Sequence, residues 1–341
     1  MRTLAVPTSR EALLDPGWLT GALTDLGDGE IVGVEAVDTS KTLAEKLRFS
    51  VDVRLPSGVV ETRAYCAKAH LDGSPGGDIV AEALFYSDLA PQLDLRMPKV
   101  SYAAADGAER AIIVMEDVVA NGGRFLNAHT PYDLETTHQT LDQLALLHAA
   151  TWGAAVAEQP PWLGPRVGSM ASRYPAEQLQ ALLDDGRGPD IAPELRDAQN
   201  LLEAMNRQAA HEVTCVLHGD THSGNSYIDV GGRSCWLDWQ IVQLGHWSTD
   251  VSYHLGSVLD VDDRRAHEAE LLAHYLRRLN YHGGPALDWD EAWDQYATGF
   301  TYGYFLWVIT QISSRAVVLV HIPRLAAALA DHQTYSRLGV L

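Results

Sequence analysis

Cysteine and positive charge are both scarce in this chain. Three cysteines occur among 341 residues, at positions 66, 215 and 235, far from one another in the sequence. An odd number without close spacing excludes a disulfide framework and a zinc-ligand pattern, and it predicts a reducing, cytoplasmic environment. Lysine and arginine total 25 against 45 acidic residues, which gives a net charge of −20. Because nucleic acids and anionic membranes are bound through basic surfaces, this balance argues against both as partners.

Long uninterrupted apolar runs are also missing. The first seven residues contain no stretch apolar enough for a secretion signal. The most hydrophobic region, residues 299–329, is interrupted by charged and polar residues and a proline, which favours a buried helix over a membrane span. Apolar residues still make up 46% of the chain, enough for a sizeable core. The length predicts about two structural units.

Strand patterns are concentrated in the first 130 residues and helical patterns in the rest. Strand-type runs are predicted near residues 31–37, 47–55, 59–68, 99–103 and 109–115. One amphipathic helix, with Asp78 as its predicted cap and Pro91 as its end, follows the third run. This order predicts an α+β fold: an N-terminal antiparallel β-sheet lobe over residues 1–117 with one key helix, and a larger, mostly helical C-terminal lobe over residues 118–341.

The densest polar cluster is the octapeptide HGDTHSGN at residues 218–225, between two short apolar runs. Asp220 and Asn225 are five residues apart, and Asp238 follows in the string LDWQ. Phosphoryl transfer requires a carboxylate that receives the proton of the acceptor hydroxyl, and Mg²⁺ prefers carboxylate and amide oxygens. Kinases carry an Asp, an Asn five residues later and a second, metal-binding Asp in this chain order. The motif therefore predicts phosphoryl-transfer chemistry.

These two strings resemble those of the aminoglycoside phosphotransferase and choline kinase-like superfamily, small-molecule kinases with a two-lobed, protein-kinase-like fold. They are most similar to its ecdysteroid-kinase-like branch, which includes bacterial members. The resemblance, which extends over about residues 30–310, implies that Asp220 is the catalytic base and that Asn225 and Asp238 bind Mg²⁺. It also implies ATP or GTP as the phosphoryl donor and a small-molecule hydroxyl as the acceptor. Protein kinases have a lysine two residues after the catalytic aspartate, whereas this chain has His222, as small-molecule kinases do.

The resemblance also assigns nucleotide-binding residues in the N-terminal lobe. Lys68 stands at the end of an alternating run and would bind the nucleotide phosphates while pairing with Glu82 on the following helix. The stretch IIVMED at residues 112–117 resembles the hinge strand of the family. Backbone groups of Met115 and Asp117 would hold adenine there.

One departure from the family concerns the turn that would cover the phosphates. In this chain it corresponds to residues 38–42, which contain no glycine. Backbone approach to a phosphate is less free without glycine, so Ser40, Lys41 or Thr42 is left to make that contact. The sequence does not choose among them.

Two other functions are weighed against a kinase. A kinase-like protein that binds a nucleotide or metabolite without turnover would suit the glycine-free turn, although Lys68 and the three polar residues of the motifs argue against it. A metallophosphoesterase also uses Gly-Asp and Gly-Asn strings, but from separate loops, whereas here they share residues 219–225. The acceptor (an antibiotic, a sugar, an amino alcohol or a steroid-like polyol), the choice between ATP and GTP, and the oligomeric state are left open.

Overall fold

A computed structural model of the chain describes residues 4–41, 44–72, 79–107, 109–188 and 191–341, with the backbone alone at 154–156. The chain divides into two compact units, which are described separately. The first comprises Met1–Arg124, Ile228–Gly232 and Leu237–Gln240, and the second comprises Phe125–Tyr227, Arg233–Trp236 and Ile241–Leu341. The predicted lobe boundary at residues 117/118 stays a prediction.

An antiparallel five-stranded sheet forms the centre of the first unit. Its strands, in the order β1-β2-β3-β5-β4, are β1 (Glu30–Lys41), β2 (Glu45–Arg54), β3 (Val60–Ala69), β4 (Val100–Asp106) and β5 (Arg110–Glu116). Alternate residues of β2, such as Leu47, Phe49 and Val51, are fully buried on one face. This period of two is what a half-buried strand requires. The predicted α+β class with an N-terminal antiparallel sheet is confirmed.

Two short helices pack against this core near the N-terminus. They are α1 (Arg10–Leu13) and α2 (Pro16–Ala22). The side chains of Ser9 and Asp15 accept hydrogen bonds from the backbone N–H groups of Ala12 and Trp18, respectively. Such caps satisfy N–H groups that have no partner within the helix.

The predicted phosphate-covering turn at residues 38–42 requires a correction. Asp38 to Lys41 continue strand β1 and pair with β2, in the register Asp38↔Arg48 and Lys41↔Glu45. Thr42 lies outside the described residues. The residues of β1 from Glu35 onward are largely exposed, so the strand continues without the apolar alternation by which its end was predicted. Lys41 forms an exposed ion pair of 2.7 Å with Asp72.

The helix between β3 and β4 is irregular. Helix α3 (Val80–Leu84) continues into a π-helical turn at Phe85–Leu89 and a 3-10 turn at Ala90–Gln92. The predicted cap Asp78 lies outside the described residues. Pro91 falls in the last turn, where the helix was predicted to end, because proline cannot continue an α-helix. A π-helical turn changes which side chains face the sheet, and such turns are frequent at functional sites.

The second unit is mostly helical. Its helices are α4 (Leu134–Ala150), α5 (Val167–Ala171), α6 (Ala176–Leu183), α7 (Ala198–Ala209), α8 (Ser248–Val258), α9 (Val261–Tyr281), α10 (Trp289–Thr298), α11 (Phe300–Ile309), α12 (Arg315–Asp331) and α13 (Thr334–Arg337). Further 3-10 turns occur at Gly153–Glu158, Pro193–Arg196 and Ser223–Asn225. Within the described part of the chain, no helix is both long enough and apolar enough to cross a membrane.

Short strands carry the polar motifs. They are β6 (Arg124–Phe125), β7 (Cys215–Leu217), β8 (Ser226–Ile228), β9 (Ser234–Trp236) and β10 (Gln243–Gly245). Strand β7 pairs with β10, and β6, β8 and β9 form a small sheet in that order. The octapeptide at residues 218–225 therefore connects β7 to β8, as the two flanking apolar runs predicted.

Candidate active site

Lys68 of β3 is held between two carboxylates. Its Nζ lies 2.6 Å from Glu82 Oε2 and 2.9 Å from Asp238 Oδ1. Lys68 and Glu82 are almost completely buried, whereas the Asp238 side chain is 19% exposed. Burial acts to lower the pKa of Lys68, but the two carboxylates outweigh it and raise that pKa above the ordinary lysine value. The lysine–glutamate pair implied by the resemblance is present, and Asp238 joins it.

Asp238 adopts a backbone conformation that is rare for a residue with a side chain. Its φ of +63° lies in the left-handed region, which asparagine and aspartate tolerate better than other non-glycine residues. The residue lies two positions after the end of β9. Unusual backbone conformations cluster at functional positions, because the surrounding structure must impose them.

Trp239, the residue after Asp238, has a packing role. Its ring stacks on that of Phe85 with centroids 3.9 Å apart and planes 13° apart, and both side chains are fully buried. Phe85 begins the π-helical turn one helical turn beyond Glu82. The stack therefore links the segment of Asp238 to the helix that carries Glu82.

The backbone of the predicted hinge is mostly engaged in the sheet. Met115 pairs with Cys66 on one side and Val100 on the other. The Asp117 N–H donates to the carbonyl oxygen of Ala64 at 3.0 Å, so the donor predicted at this position is already used. The Asp117 carboxylate accepts from Arg48 Nε at 2.7 Å. The carbonyl oxygen of Asp117 accepts the backbone N–H of Asn121 at 3.0 Å, so only its second lone pair is open to a ligand.

Glycine is required at position 219, at the start of the β7–β8 loop. Gly219 has a φ of +83°. A Cβ atom there would lie 2.2 Å from the carbonyl oxygen of Ile241. The loop can turn only where this atom is absent.

Asp250 of α8 stabilises the backbone of the β7–β8 loop. Its carboxylate accepts the backbone N–H groups of His218 at 2.7 Å and Gly219 at 2.9 Å. His148 Nε2 lies 3.3 Å from the same carboxylate, and the Asp250, His148 and His218 side chains are all buried. His218 Nδ1 also accepts the Asp220 N–H at 3.2 Å, so the side chains of Asp250 and His218 both stabilise the loop.

The loop that Asp250 holds in place carries the Asp220 carboxylate. Its Oδ1 accepts from the Tyr253 hydroxyl at 3.0 Å, and its Oδ2 accepts from Asn225 Nδ2 at 2.8 Å. Burial acts to raise the pKa of Asp220, but His222, His218 and Tyr253 together bring it below the ordinary aspartate value. Asp220 is therefore ionised at neutral pH and able to accept a proton.

The amide of Asn225 has a fixed orientation. Its Nδ2 donates to both the backbone and the side-chain oxygen of Asp220, at 2.9 and 2.8 Å. With both donor bonds on one side, Oδ1 faces the other way as an acceptor.

The residues present suit magnesium held jointly with a ligand. Among the described residues, no group of three or more His, Cys, Asp and Glu side chains could hold a metal ion. Mg²⁺ is commonly held by one or two protein oxygens together with substrate phosphates, so a complete protein cage is not required. The Lys68 cluster contains one cation against two carboxylates, and this excess of negative charge favours a cation near Asp238.

Tyr253 was not singled out from the sequence. It lies on α8 three residues after Asp250, so both side chains are on one face of the helix. In the sequence, the three-residue spacing from Asp250 was the available signal. Tyr253 was missed because the sequence predicted helices in this region without giving the bounds of α8.

Comparison with known proteins places the chain in a family. The sequence model of the phosphotransferase enzyme family matches residues 59–293, more than half of the chain. The chain belongs to this family. It is a phosphotransferase of the small-molecule kinase type, whose acceptor group is a hydroxyl, as the motifs predicted. A comparison with curated proteins gave no match.

Solved structures of small-molecule kinases share the fold. An ethanolamine kinase of Plasmodium vivax is 11% identical, with 90% of this chain and 83% of that chain covered and a TM-score of 0.52. LicA in complex with AMP is 14% identical, with coverages of 93% and 97% and a TM-score of 0.51. Choline kinase LicA from Streptococcus pneumoniae is 13% identical, with coverages of 89% and 94% and a TM-score of 0.50. The closer resemblance to the ecdysteroid-kinase-like branch stays a prediction.

Proposed function

We propose that this phosphotransferase moves the γ-phosphoryl group of ATP or GTP to a hydroxyl of a small molecule, with Asp220 as the base. The acceptor oxygen forms a bond to the γ-phosphorus while the bond from that phosphorus to the β–γ bridging oxygen breaks. The hydroxyl proton passes to the Asp220 carboxylate. The products are a phosphate ester and a nucleoside diphosphate.

The observation that carries this proposal is the burial of Lys68 between Glu82 and Asp238. A buried ammonium is costly unless carboxylates compensate it. Here the compensating residues come from sequence positions 14 and 170 residues away, at 2.6 and 2.9 Å. In the proposed reaction Glu82 fixes Lys68, and Lys68 binds the phosphates of the donor nucleotide.

Asp220 meets the requirements of the base. It is ionised, and its two oxygens are held by Tyr253 and Asn225 in one orientation. Each carboxylate oxygen has more than one lone pair, so these bonds leave capacity for a substrate hydroxyl. General-base catalysis by a fixed group contributes roughly 10²–10⁴-fold to a rate.

Asn225 Oδ1 and the Asp238 carboxylate are proposed as the protein ligands of Mg²⁺. When bound, the metal would neutralise charge on the nucleotide phosphates. Both are oxygen ligands of the kind that this cation prefers.

Met115 and Asp117 are proposed to hold the adenine or guanine base. Because the Asp117 N–H donates to Ala64, Asp117 would contribute its carbonyl oxygen, through the lone pair that the Asn121 N–H does not occupy. The AMP complex of LicA is in keeping with a nucleotide donor for this fold.

Turnover separates the proposal from a binding protein of the same fold. The wild-type protein and Asp220→Asn are compared for thermal stabilisation by ATP or GTP with Mg²⁺, and for slow nucleotide hydrolysis. We expect both proteins to bind nucleotide, and Asp220→Asn to lose at least 100-fold of the hydrolysis rate, as roughly expected for loss of a general base. Equal, negligible turnover in both proteins across a broad alcohol panel would favour binding without catalysis.

A further inference from the structure

The imidazole of His222 is fixed beside the Asp220 carboxylate in a defined tautomer. Its Nδ1 accepts the backbone N–H of Gly224 at 3.0 Å. A ring nitrogen that accepts a hydrogen bond carries no proton, so the proton of the neutral ring is on Nε2. His222 therefore presents an N–H donor at Nε2.

The contacts around Nε2 leave this donor for a ligand. Nε2 lies 3.6 Å from Asp220 Oδ2, which is beyond the range of a hydrogen bond. The His222 side chain is 17% exposed, so a ligand can reach it. A ligand that contacts the Asp220 carboxylate therefore lies next to the Nε2–H donor of His222.

Two aromatic side chains from distant helices hold the ring in place. Trp307 of α11 meets the His222 ring edge-on with centroids 5.1 Å apart. His321 of α12 stacks on Trp307 at 4.0 Å and lies 5.7 Å from His222. Trp307 and His321 are both buried. Such packing restricts rotation of the imidazole and serves no evident need of the loop itself, which Asp250 already braces.

We propose that His222 is a further catalytic residue, whose Nε2–H donates to an oxygen of the phosphoryl group during transfer. The inference rests on the proposed function, because it requires that Asp220 is the base. A donor aimed at the attacking oxygen would compete for the lone pair that forms the new bond. A donor aimed at the phosphoryl oxygens acts where negative charge is carried in the transition state.

The test compares ground-state and transition-state ligands. The affinity of the full-length protein is measured for ADP with Mg²⁺, and for ADP with Mg²⁺ and aluminium fluoride, which imitates the phosphoryl group in transfer. For His222→Ala we expect an unchanged ADP affinity and a loss on the order of tenfold or more for the aluminium fluoride complex. His222→Gln, whose Nε2–H can occupy a similar position, should recover most of that loss. His129→Ala, at an exposed histidine, is the matched control and should change neither affinity.

A second variant displaces the ring without removing it. A Cβ atom on Gly224 would lie 2.8 Å from His222 Cε1, so Gly224→Ala must shift the imidazole. We expect Gly224→Ala to lose affinity for the aluminium fluoride complex as His222→Ala does, while its affinity for ADP is kept. The ¹⁵N resonances of His222 in the wild type should show the proton on Nε2.

Three results would overturn the inference. They are a proton on Nδ1, an equal loss of both affinities in His222→Ala, or no loss in either. If the wild-type protein binds neither ADP nor GDP, with or without aluminium fluoride, the proposed function fails as well. If the wild type binds the aluminium fluoride complex tightly and His222→Ala does so equally, the proposed function stands and the role of His222 is refuted.

Discussion

At the scale of single residues, the environment of Asp220 determines what it can do. Hydrogen bonds to the ionised form of a carboxyl lower its pKa, and the Tyr253 hydroxyl makes such a bond at 3.0 Å. Burial of the tyrosine, together with the nearby Asp220 charge, raises the pKa of Tyr253 well above its usual value. The tyrosine therefore stays protonated and acts as a donor. Together with His222 and His218, the tyrosine keeps the proposed base ionised although Asp220 is largely enclosed.

Removal of the Tyr253 hydroxyl should raise the pKa of Asp220. We expect Tyr253→Phe to shift that pKa upward by about one unit, since a hydrogen bond to a charged group is worth about 1.5 kcal/mol. A base must be deprotonated, so activity falls on the acid side of its pKa. The acid limb of the ATP turnover profile, with water as acceptor, should therefore move to higher pH, with little change at pH 7.

Tyr304→Phe is the control for this prediction. Tyr304 is also buried, and its hydroxyl donates to the carbonyl oxygen of Leu195 at 3.0 Å. Its loss should leave the acid limb in place. A profile for Tyr253→Phe that coincides with that of the wild type would show that the tyrosine does not tune Asp220.

At the scale of elements, the β7–β8 loop depends on one glycine and one helix. Gly219 combines a positive φ with close approach to the Ile241 carbonyl. Helix α8 supplies the Asp250 carboxylate that fixes the loop backbone. The loop is thus shaped by steric fit on one side and by buried hydrogen bonds on the other.

Gly219→Ala should be far more destabilising than alanine at an open positive-φ glycine. Gly283 has a φ of +93°, and a methyl group added there would have nothing within 4 Å, so this position isolates the backbone cost. We expect Gly283→Ala to cost about 1 kcal/mol in free energy of unfolding. Gly219→Ala adds a clash with backbone and should cost about 3–5 kcal/mol. Urea unfolding measures both, and equal costs would contradict the steric argument.

Elements with clear periodicity were predictable from the sequence, and elements without it were not. The strands and the caps of α1 and α2 follow from apolar alternation and from Ser9 and Asp15. The bounds of helix α8 were not predicted because all of its residues are buried, so no polar face alternates with an apolar one. The end of β1 was placed too early because an exposed strand needs no apolar alternation.

At the scale of the whole molecule, contacts between residues far apart in the sequence complete the site. Lys68 meets Asp238 across 170 residues. The chain order of the polar residues singled out Asp238 and the resemblance to a family singled out Lys68, but no local pattern predicts that the two are in contact. Trp307 and His321 lie beyond residue 293, where the family match ends, and no local signal connects them to His222.

Loss of Lys68 should affect both stability and nucleotide binding, and a second substitution should separate the two. Lys68→Met leaves the Glu82 carboxylate buried without its ammonium partner, which should cost about 3–5 kcal/mol in free energy of unfolding. Lys68→Met combined with Glu82→Gln removes that unpaired charge, so most of the stability should return. Nucleotide affinity should stay on the order of tenfold or more below the wild type in both variants. Recovery of affinity together with stability would show that Lys68 has a structural role alone.

A phosphotransfer screen tests the central claim most directly. The wild-type protein and Asp220→Asn are incubated with γ-labelled ATP and GTP, Mg²⁺ and a mixed library of hydroxyl compounds. Label is then sought in the small-molecule products, with Asp262→Asn, at a 98% exposed side chain, as the control. We predict that at least one compound becomes phosphorylated by the wild type and the control, and that Asp220→Asn abolishes this product. Phosphorylation that persists undiminished in Asp220→Asn, or no labelled product from the wild type, would contradict the account.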